Sequence, residues 1–296
     1  MLNFENVKTV AYLGPQGSFC EMAKDYFCEK YKINAFDNPL QSIRQVINYI
    51  DENPDTIGIL PVENSIDGTV RETLDCLMHT KNQNIKILAE YYMPLNLCLL
   101  SRTTEFYSIT GLISPPNNLS KCHNFIEKEM PFNVNIIEAA SEPEAARSLQ
   151  NYNLTYASIG TSKIAEIFNL NILKDNISDD KTNQTRFIII GDFETEETSS
   201  DRSSIAFSTE NKPGALLNTL NIFMQNNINL SYIASHPSEN NFGEYIFIVN
   251  FDGHMKNPRI MKTLCQIKEN TAYFKFFGSY KKDKPNMGLI YKFTQK

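Results

Sequence analysis

Three short stretches carry the side chains best suited to chemistry. Asn183-Gln184-Thr185-Arg186-Phe187 runs into the apolar strand Ile188 to Ile190. Arg186 can clamp a carboxylate through two parallel hydrogen bonds. Thr185 can donate a hydrogen bond or relay a proton, and Phe187 can stack on a ring. The same triplet is also ordinary strand sequence, because Thr and Phe favour strands. Leu60-Pro61-Val62-Glu63-Asn64-Ser65-Ile66-Asp67-Gly68-Thr69-Val70 offers an amide, hydroxyls and backbone donors without a permanent positive charge. Glu63 there reads equally as a substrate contact and as a cap or structural ion pair. Gly14-Pro15-Gln16-Gly17-Ser18 joins a strand to a helix, where glycines admit a ligand and exposed N–H groups can hold an anion. Alone, that loop also reads as a plain βα turn. It is neither G-x-G-x-x-G nor a Walker loop, so no nucleotide is indicated.

Other reaction classes lack their residues. His79, His123, His236 and His254 show no metal-ligand spacing, no G-x-S-x-G elbow occurs, and Cys20, Cys28, Cys76, Cys98, Cys122 and Cys265 form no C-x-x-C pair. Neither a metal nor a cofactor is expected. Scattered cysteines without a secretion signal read as reduced, buried thiols of a cytoplasmic protein. A net charge of −6 with no basic block argues against nucleic acid. The longest apolar stretches, such as Tyr91 to Leu100, are broken by Pro94 and Asn96 and are too short to span a bilayer.

The elements that must position these loops follow from hydrophobic periodicity. Val7 to Leu13 is a predicted strand. A helix follows from Ser18 to Tyr31, with Ser18 as N-cap and Glu21 completing a capping box. Pro39 can open the next helix. Thr56 to Leu60, Ile85 to Tyr92, Leu95 to Leu100, Ile109 to Ser114, Val134 to Ile137 and Tyr156 to Ile159 read as strands. Thr69 to Met78, Leu119 to Lys128, Glu142 to Leu149 and Ser162 to Phe168 read as helices. This alternation predicts an α/β architecture with mostly parallel sheets, whose ligands bind beyond the carboxyl ends of the strands, where the Gly14 to Ser18 and Leu60 to Val70 loops fall. Glu194 to Asp201 is polar and acidic, which suits a linker. Beyond it, Ser204 to Ser208, Gly214 to Asn226, Ile228 to Ser235, Gly243 to Phe251, Lys256 to Glu269 and Ala272 to Phe277 predict a ferredoxin-like βαββαβ order.

As a set, the three loops resemble the prephenate dehydratase family over nearly the whole chain. Gly14-Pro15-Gln16-Gly17-Ser18-Phe19, Pro61-Val62-Glu63-Asn64-Ser65 with Gly68-Thr69-Val70 and Thr73-Leu74-Asp75, and Asn183-Gln184-Thr185-Arg186-Phe187 carry the resemblance. The C-terminal part resembles the family's ACT-type regulatory domain, through Pro213-Gly214-Ala215-Leu216-Leu217, Asn229-Leu230, Ser235-His236-Pro237 and Gly278-Ser279-Tyr280.

The resemblance implies a two-lobed catalytic domain like periplasmic binding proteins, with its site in the cleft. Its expected span is residues 1–193, with lobe 1 at about 1–82 and 180–193 and lobe 2 at about 83–179. A linker at 194–201 and a regulatory domain at 202–296 follow, and no chorismate mutase segment is expected ahead of the first strand. The implied reaction turns prephenate into phenylpyruvate with loss of water and carbon dioxide. Thr185 would ease departure of the hydroxyl, Arg186 would hold a carboxylate, and Phe187 completes the catalytic triplet. Ser18, Asn64, Ser65 and Thr69 would bind the rest of the substrate. Phenylalanine would act as feedback effector on Gly214, Ala215, Leu216, Asn229, Leu230 and Ser235, in a homodimer or homotetramer.

Several segments depart from the family pattern. Ser114-Pro115-Pro116-Asn117 stands where Ser-His-Pro-Gln is common, Ser141-Glu142-Pro143 where Ser-Thr-Ala is usual, and Asn96 where a histidine is frequent. Ala234-Ser235-His236-Pro237 replaces Glu-Ser-Arg-Pro. Arogenate dehydratase, a non-enzymatic amino-acid sensor and a transport binding protein remain as other readings of the same residues.

Overall fold

The structure is a computed structural model, and it describes residues 4, 6–131, 133–237 and 245–285. The first segment contains β1 (Thr9–Leu13), α1 (Phe19–Tyr31), β2 (Phe36–Leu40), α2 (Ile43–Glu52), β3 (Thr56–Asn64), β4 (Gly68–Thr69), α3 (Arg71–His79) and β5 (Lys86–Pro94). The chain then builds a second sheet from β6 (Cys98–Ser101), β7 (Gly111–Ser114), α4 (Pro116–Lys121), α5 (His123–Lys128), β8 (Asn135–Glu138), α6 (Glu142–Ser148), β9 (Tyr156–Gly160), α7 (Ser162–Phe168) and β10 (Asn171–Lys174). It returns to the first sheet with β11 (Gln184–Gly191).

The strand orders are β2-β1-β3-β11-β5, with β4 on β3, and β10-β6-β9-β7-β8. Two crossings, after β5 and before β11, make two α/β lobes as expected. Two details differ from the sequence reading. The sheets are mixed rather than mostly parallel, because β11 runs antiparallel to both neighbours and β6 to β9 and β10. The first crossing also falls after Pro94 rather than near residue 82, since Lys86–Pro94 pairs along β11.

Local sequence explains most element ends. Ser18 caps α1, its Oγ accepting the Glu21 N–H at 3.4 Å. The Glu21 carboxylate reaches one residue further back than a capping box requires, accepting from Gly17 N–H at 2.5 Å. Pro39 opens no helix. It sits in β2, an edge strand where a missing N–H is tolerated, and Ser42 caps α2 instead. The predicted helix at Leu119 to Lys128 is two short helices that meet at Cys122. Cys265 is exposed, unlike the buried thiol expected there.

The C-terminal segment folds as β12 (Asp201–Ser208), α8 (Ala215–Gln225), β13 (Leu230–Pro237), β14 (Tyr245–Asp252), α9 (Pro258–Glu269) and β15 (Tyr273–Lys281). This βαββαβ unit forms one antiparallel sheet, ordered β13-β14-β12-β15. Period-two alternation splits its faces. Ile205, Phe207, Val249 and Phe251 pack under α8 and α9, while Ala206, Ile248, Phe277 and Tyr280 join a core with Ile87, Ile188 and Ile190 of the first lobe. One sheet therefore lies directly against another. Gly278 makes this possible: its φ is +130°, and a Cβ there would stand 2.5 Å from the Ile87 carbonyl oxygen.

Candidate active site

β3 and β11 are antiparallel neighbours, and their register sets Thr185 opposite Asn64. Asn64 Nδ2 donates to Thr185 Oγ1 at 2.8 Å and to Asn183 Oδ1 at 2.9 Å. Asn64 Oδ1 accepts the N–H groups of Ile66 and Asp67, both at 2.9 Å. Two backbone donors can be answered only by the amide oxygen, so the NH₂ must face Thr185. Thr185 thus accepts from Asn64 and keeps its own hydrogen for an outward donation. Ser65 closes the same corner, its Oγ accepting Gln184 N–H at 3.0 Å and its N–H donating to the Gln184 carbonyl at 2.9 Å.

The second lobe meets the first at α1 and at the turn after β3. Thr161 Oγ1 donates to the Gly17 carbonyl at 2.8 Å, and Lys163 pairs with Asp25 at 2.9 Å. Lys121 lies 3.6 Å from Asp67, and Phe19 packs against both lobes' cores. Gly17 has φ +85°, and a Cβ there would lie 2.6 Å from Ile164 Cγ1, so the lobes approach this closely only with glycine. Ser18 follows it, beside the same contact. On the lobe 2 side, Asn118 Nδ2 donates to Glu142 Oε1 at 2.9 Å. Glu142 Oε2 is buried without a hydrogen-bond partner. Burial pushes the Glu142 carboxyl above its ordinary value, and bonds from Asn118 and the Thr161 backbone only partly offset this.

The structure therefore brings Asn64, Ser65 and Thr185 to one corner, leaves Ser18 at the start of α1 beside the Gly17–Thr161 contact, and redirects three other expected residues. Arg186 does not point into the cleft. Neighbouring strand residues face opposite ways, and its guanidinium is buried in the seam with the C-terminal sheet, against Glu63, Glu90 and Tyr280. Tyr280, Glu90, Tyr92 and Glu63 outweigh burial and raise its pKa further, so it stays charged. Phe187 stacks on no ligand, being 1% exposed in the core under α1 with Tyr12, Phe27 and Ile59. Thr69 also turns to the seam, where its Oγ1 lies 2.7 Å from the Tyr232 hydroxyl.

Sequence reasoning did not single out Glu90 and Arg202 of this seam, nor Thr161 of the cleft. Glu90 carried a signal, as the one charge between Leu88-Ala89 and Tyr91-Tyr92, and it is fully buried with Arg202 Nη1 at 2.9 and 2.8 Å from its two oxygens.

In the C-terminal domain, Gly214, Ala215 and Leu216 line a cavity of about 280 Å³ with Tyr245 and Phe247. Ser235 lies beside it, paired with Phe247 across β13 and β14. Asn229 and Leu230 sit at the far end of β13, about 16 Å away by strand rise, so one chain does not bring them to that cavity. His236 is buried against α3, 3.9 Å from Asp75, and burial lowers its pKa. No group of three metal-binding side chains occurs among the described residues. No helix among them is long and apolar enough to cross a membrane.

Comparison with known proteins agrees with this fold. The family model for prephenate dehydratase matches residues 10–195, and that for the ACT domain matches residues 203–269. A bifunctional chorismate mutase/prephenate dehydratase of Aquifex aeolicus is 34% identical over 282 residues, covering 95% of this chain and 75% of its own. A prephenate dehydratase of Methanocaldococcus jannaschii is 33% identical over 280 residues, covering 92% of this chain and 98% of its own. The solved prephenate dehydratase of Arthrobacter aurescens in complex with L-Phe superposes with a TM-score of 0.80 at 27% identity, over 93% of this chain and 90% of its own. With its two α/β lobes and its C-terminal ferredoxin-like sheet, this chain belongs to the prephenate dehydratase family and carries an ACT domain.

Proposed function

We propose that this chain converts prephenate to phenylpyruvate, with Thr185 as the group that assists hydroxide departure. The observation that carries this is the fixed orientation of Asn64, which leaves the Thr185 hydrogen free to donate. In the reaction the bond from the ring to its carboxylate breaks, and that electron pair enters the ring. The ring carbon–oxygen bond opposite then breaks, and the departing oxygen takes a proton. Prephenate dianion plus one proton gives phenylpyruvate, carbon dioxide and water. Aromatisation drives the step, so the protein's task is to steady the leaving oxygen. A threonine hydroxyl is a weak acid in bulk water, and it serves here through placement in a water-poor cleft. Thr185 is 6% exposed, which fits that role. Ser65, bonded to Gln184 beside Thr185, and Ser18 at the start of α1 would take the substrate's polar groups. With Arg186 committed to the seam, carboxylate binding falls to neutral donors and to backbone N–H groups near the start of α1.

Phenylalanine is the effector that the C-terminal domain best fits. Its cavity offers the apolar Leu216, Tyr245 and Phe247 beside the backbone of Gly214 and Ala215. Exposed Leu217, Met224, Ile233 and Tyr245 favour pairing with a second copy, which gives Asn229 and Leu230 a route to the partner's cavity. The six free thiols favour a reducing, cytoplasmic setting. Incubating purified protein with prephenate, and separately with arogenate, tests the activity by release of the aromatic product. Turnover of prephenate that falls on adding phenylalanine supports both parts. Phenylalanine binding without turnover of either substrate contradicts the enzymatic reading.

A further inference from the structure

Arg186 is bonded to two domains at once. Nη1 donates to Glu63 Oε2 of β3 at 3.3 Å, and Nη2 donates to the Tyr280 hydroxyl of β15 at 3.1 Å. Glu90 Oε2 lies 2.9 Å from Nε but off the N–H direction, an ion-pair contact rather than a hydrogen bond. The Tyr280 hydroxyl is 2.8 Å from Ser204 Oγ, and Ser204 gives its hydrogen to Asn250 Oδ1 at 2.7 Å. Tyr280 must therefore donate to Ser204, which leaves its lone pair for Arg186. The chain of donors runs Arg186, Tyr280, Ser204, Asn250, from β11 across β15 and β12 to β14. It ends beside β13, where Ser231 Oγ donates to the Asn250 carbonyl at 3.3 Å.

Thr185 is one peptide from the start of this chain. The β11–β3 register shifts between Arg186 and Phe187, so the ladder is interrupted just past the site. Side chains tie the two strands there on both faces: Asn64 to Thr185 on one, and Glu63 to Arg186 on the other. A guanidinium that loses a partner in such a buried place must move or stay uncompensated.

Building on the reading of Thr185 above, we propose that Arg186 is a positioning residue. Through it, the Tyr280 hydroxyl makes the placement of Thr185 depend on how the C-terminal domain is seated. The link is a continuous run of hydrogen bonds with its directions fixed, and every member is buried.

The test uses the full chain and prephenate. Tyr280→Phe removes one hydroxyl. Lys275→Met alters the same strand and the same seam, but its ammonium contacts the Met78 and Thr80 carbonyls instead. Tyr280→Phe is expected to lower kcat about five- to tenfold with KM unchanged, the range of ordinary coupling between sites. Lys275→Met is expected to leave both constants alone. Ser204→Ala, which leaves Tyr280 in place without its acceptor, is expected to fall between them, and it carries the test should Tyr280→Phe fail to fold. Equal kcat in all three variants, or equal loss, overturns the proposal. A wild type without turnover defeats the activity instead, and the coupling is then read from the Thr185 methyl resonance, identified by its loss in Thr185→Val. That resonance is expected to shift in Tyr280→Phe and to hold still in Lys275→Met. The same position in both overturns the coupling alone.

Discussion

Asn64 and Thr185 stand 121 residues apart in sequence and 2.8 Å apart in space, joined by a hydrogen bond whose direction is fixed. The direction comes from the backbone amides of Ile66 and Asp67, which hold the Asn64 oxygen on its other side. A turn at one strand's end thus decides which way a hydroxyl on the next strand can donate. Lone-pair arithmetic is what the proposed role of Thr185 rests on.

Asn64→Asp tests that arithmetic. A carboxylate accepts but does not donate, so Thr185 would turn its hydrogen inward to the substituted side chain and away from substrate. Steady-state kinetics on prephenate are expected to show kcat down about 10²-fold, the usual effect of losing one directed donor, with a much smaller change in KM. Unaltered kcat would mean that the bond does not orient Thr185.

Glu142 gives a prediction about pH. Burial raises its folded pKa above the ordinary 4.5. A carboxyl raised in this way favours folding when protonated, below the unfolded pKa, and loses that contribution as pH climbs through the folded value. Once ionised, the buried group costs stability. Glu142→Gln is expected to be more stable than wild type at pH 7, with the gain gone near pH 4. Denaturant titrations at the two pH values check it, and a variant that gains nothing at pH 7 contradicts it.

Lys275 titrates with the opposite chemistry. Burial, and next to it the Lys86 charge, bring its pKa down from 10.5 to about 8, while Asp51 opposes them. A lysine depressed on folding is costly wherever it is charged, below about pH 8. That cost fades up to pH 10.5, as the unfolded lysine also loses its proton. The bonds to the Met78 and Thr80 carbonyls offset part of the cost. The stability of Lys275→Met relative to wild type is therefore expected to be most favourable near pH 7 and to decline by about 2 kcal/mol toward pH 10. Thermal melts across that interval decide it, and a flat difference counts against a depressed lysine.

Much of this could be read before the structure. The C-terminal βαββαβ order, the Ser18 cap and the three loops followed from periodicity and turn chemistry. Strand alternation already places Thr185 and Arg186 on opposite faces, but the sequence does not say that a second sheet covers the Arg186 face. Tyr280, which answers it, lies 94 residues away, and no local pattern links the two. Thr69 is a second case, since its hydroxyl meets Tyr232 of another domain. Pro39 misled because a proline that suits the first turn of a helix is equally at home in an edge strand. Phe187 shows the converse: a ring two residues from a candidate site belongs to the core when the strand's period turns it inward.

The most direct test of the account is the turnover of prephenate by Thr185→Val beside Thr185→Ser. Valine keeps the shape of threonine and removes the hydroxyl, whereas serine keeps the hydroxyl. The account predicts that Thr185→Val loses about 10²–10³ in kcat at nearly constant KM, while Thr185→Ser retains most of its turnover. A Thr185→Val protein that turns over prephenate at the wild-type rate would contradict it.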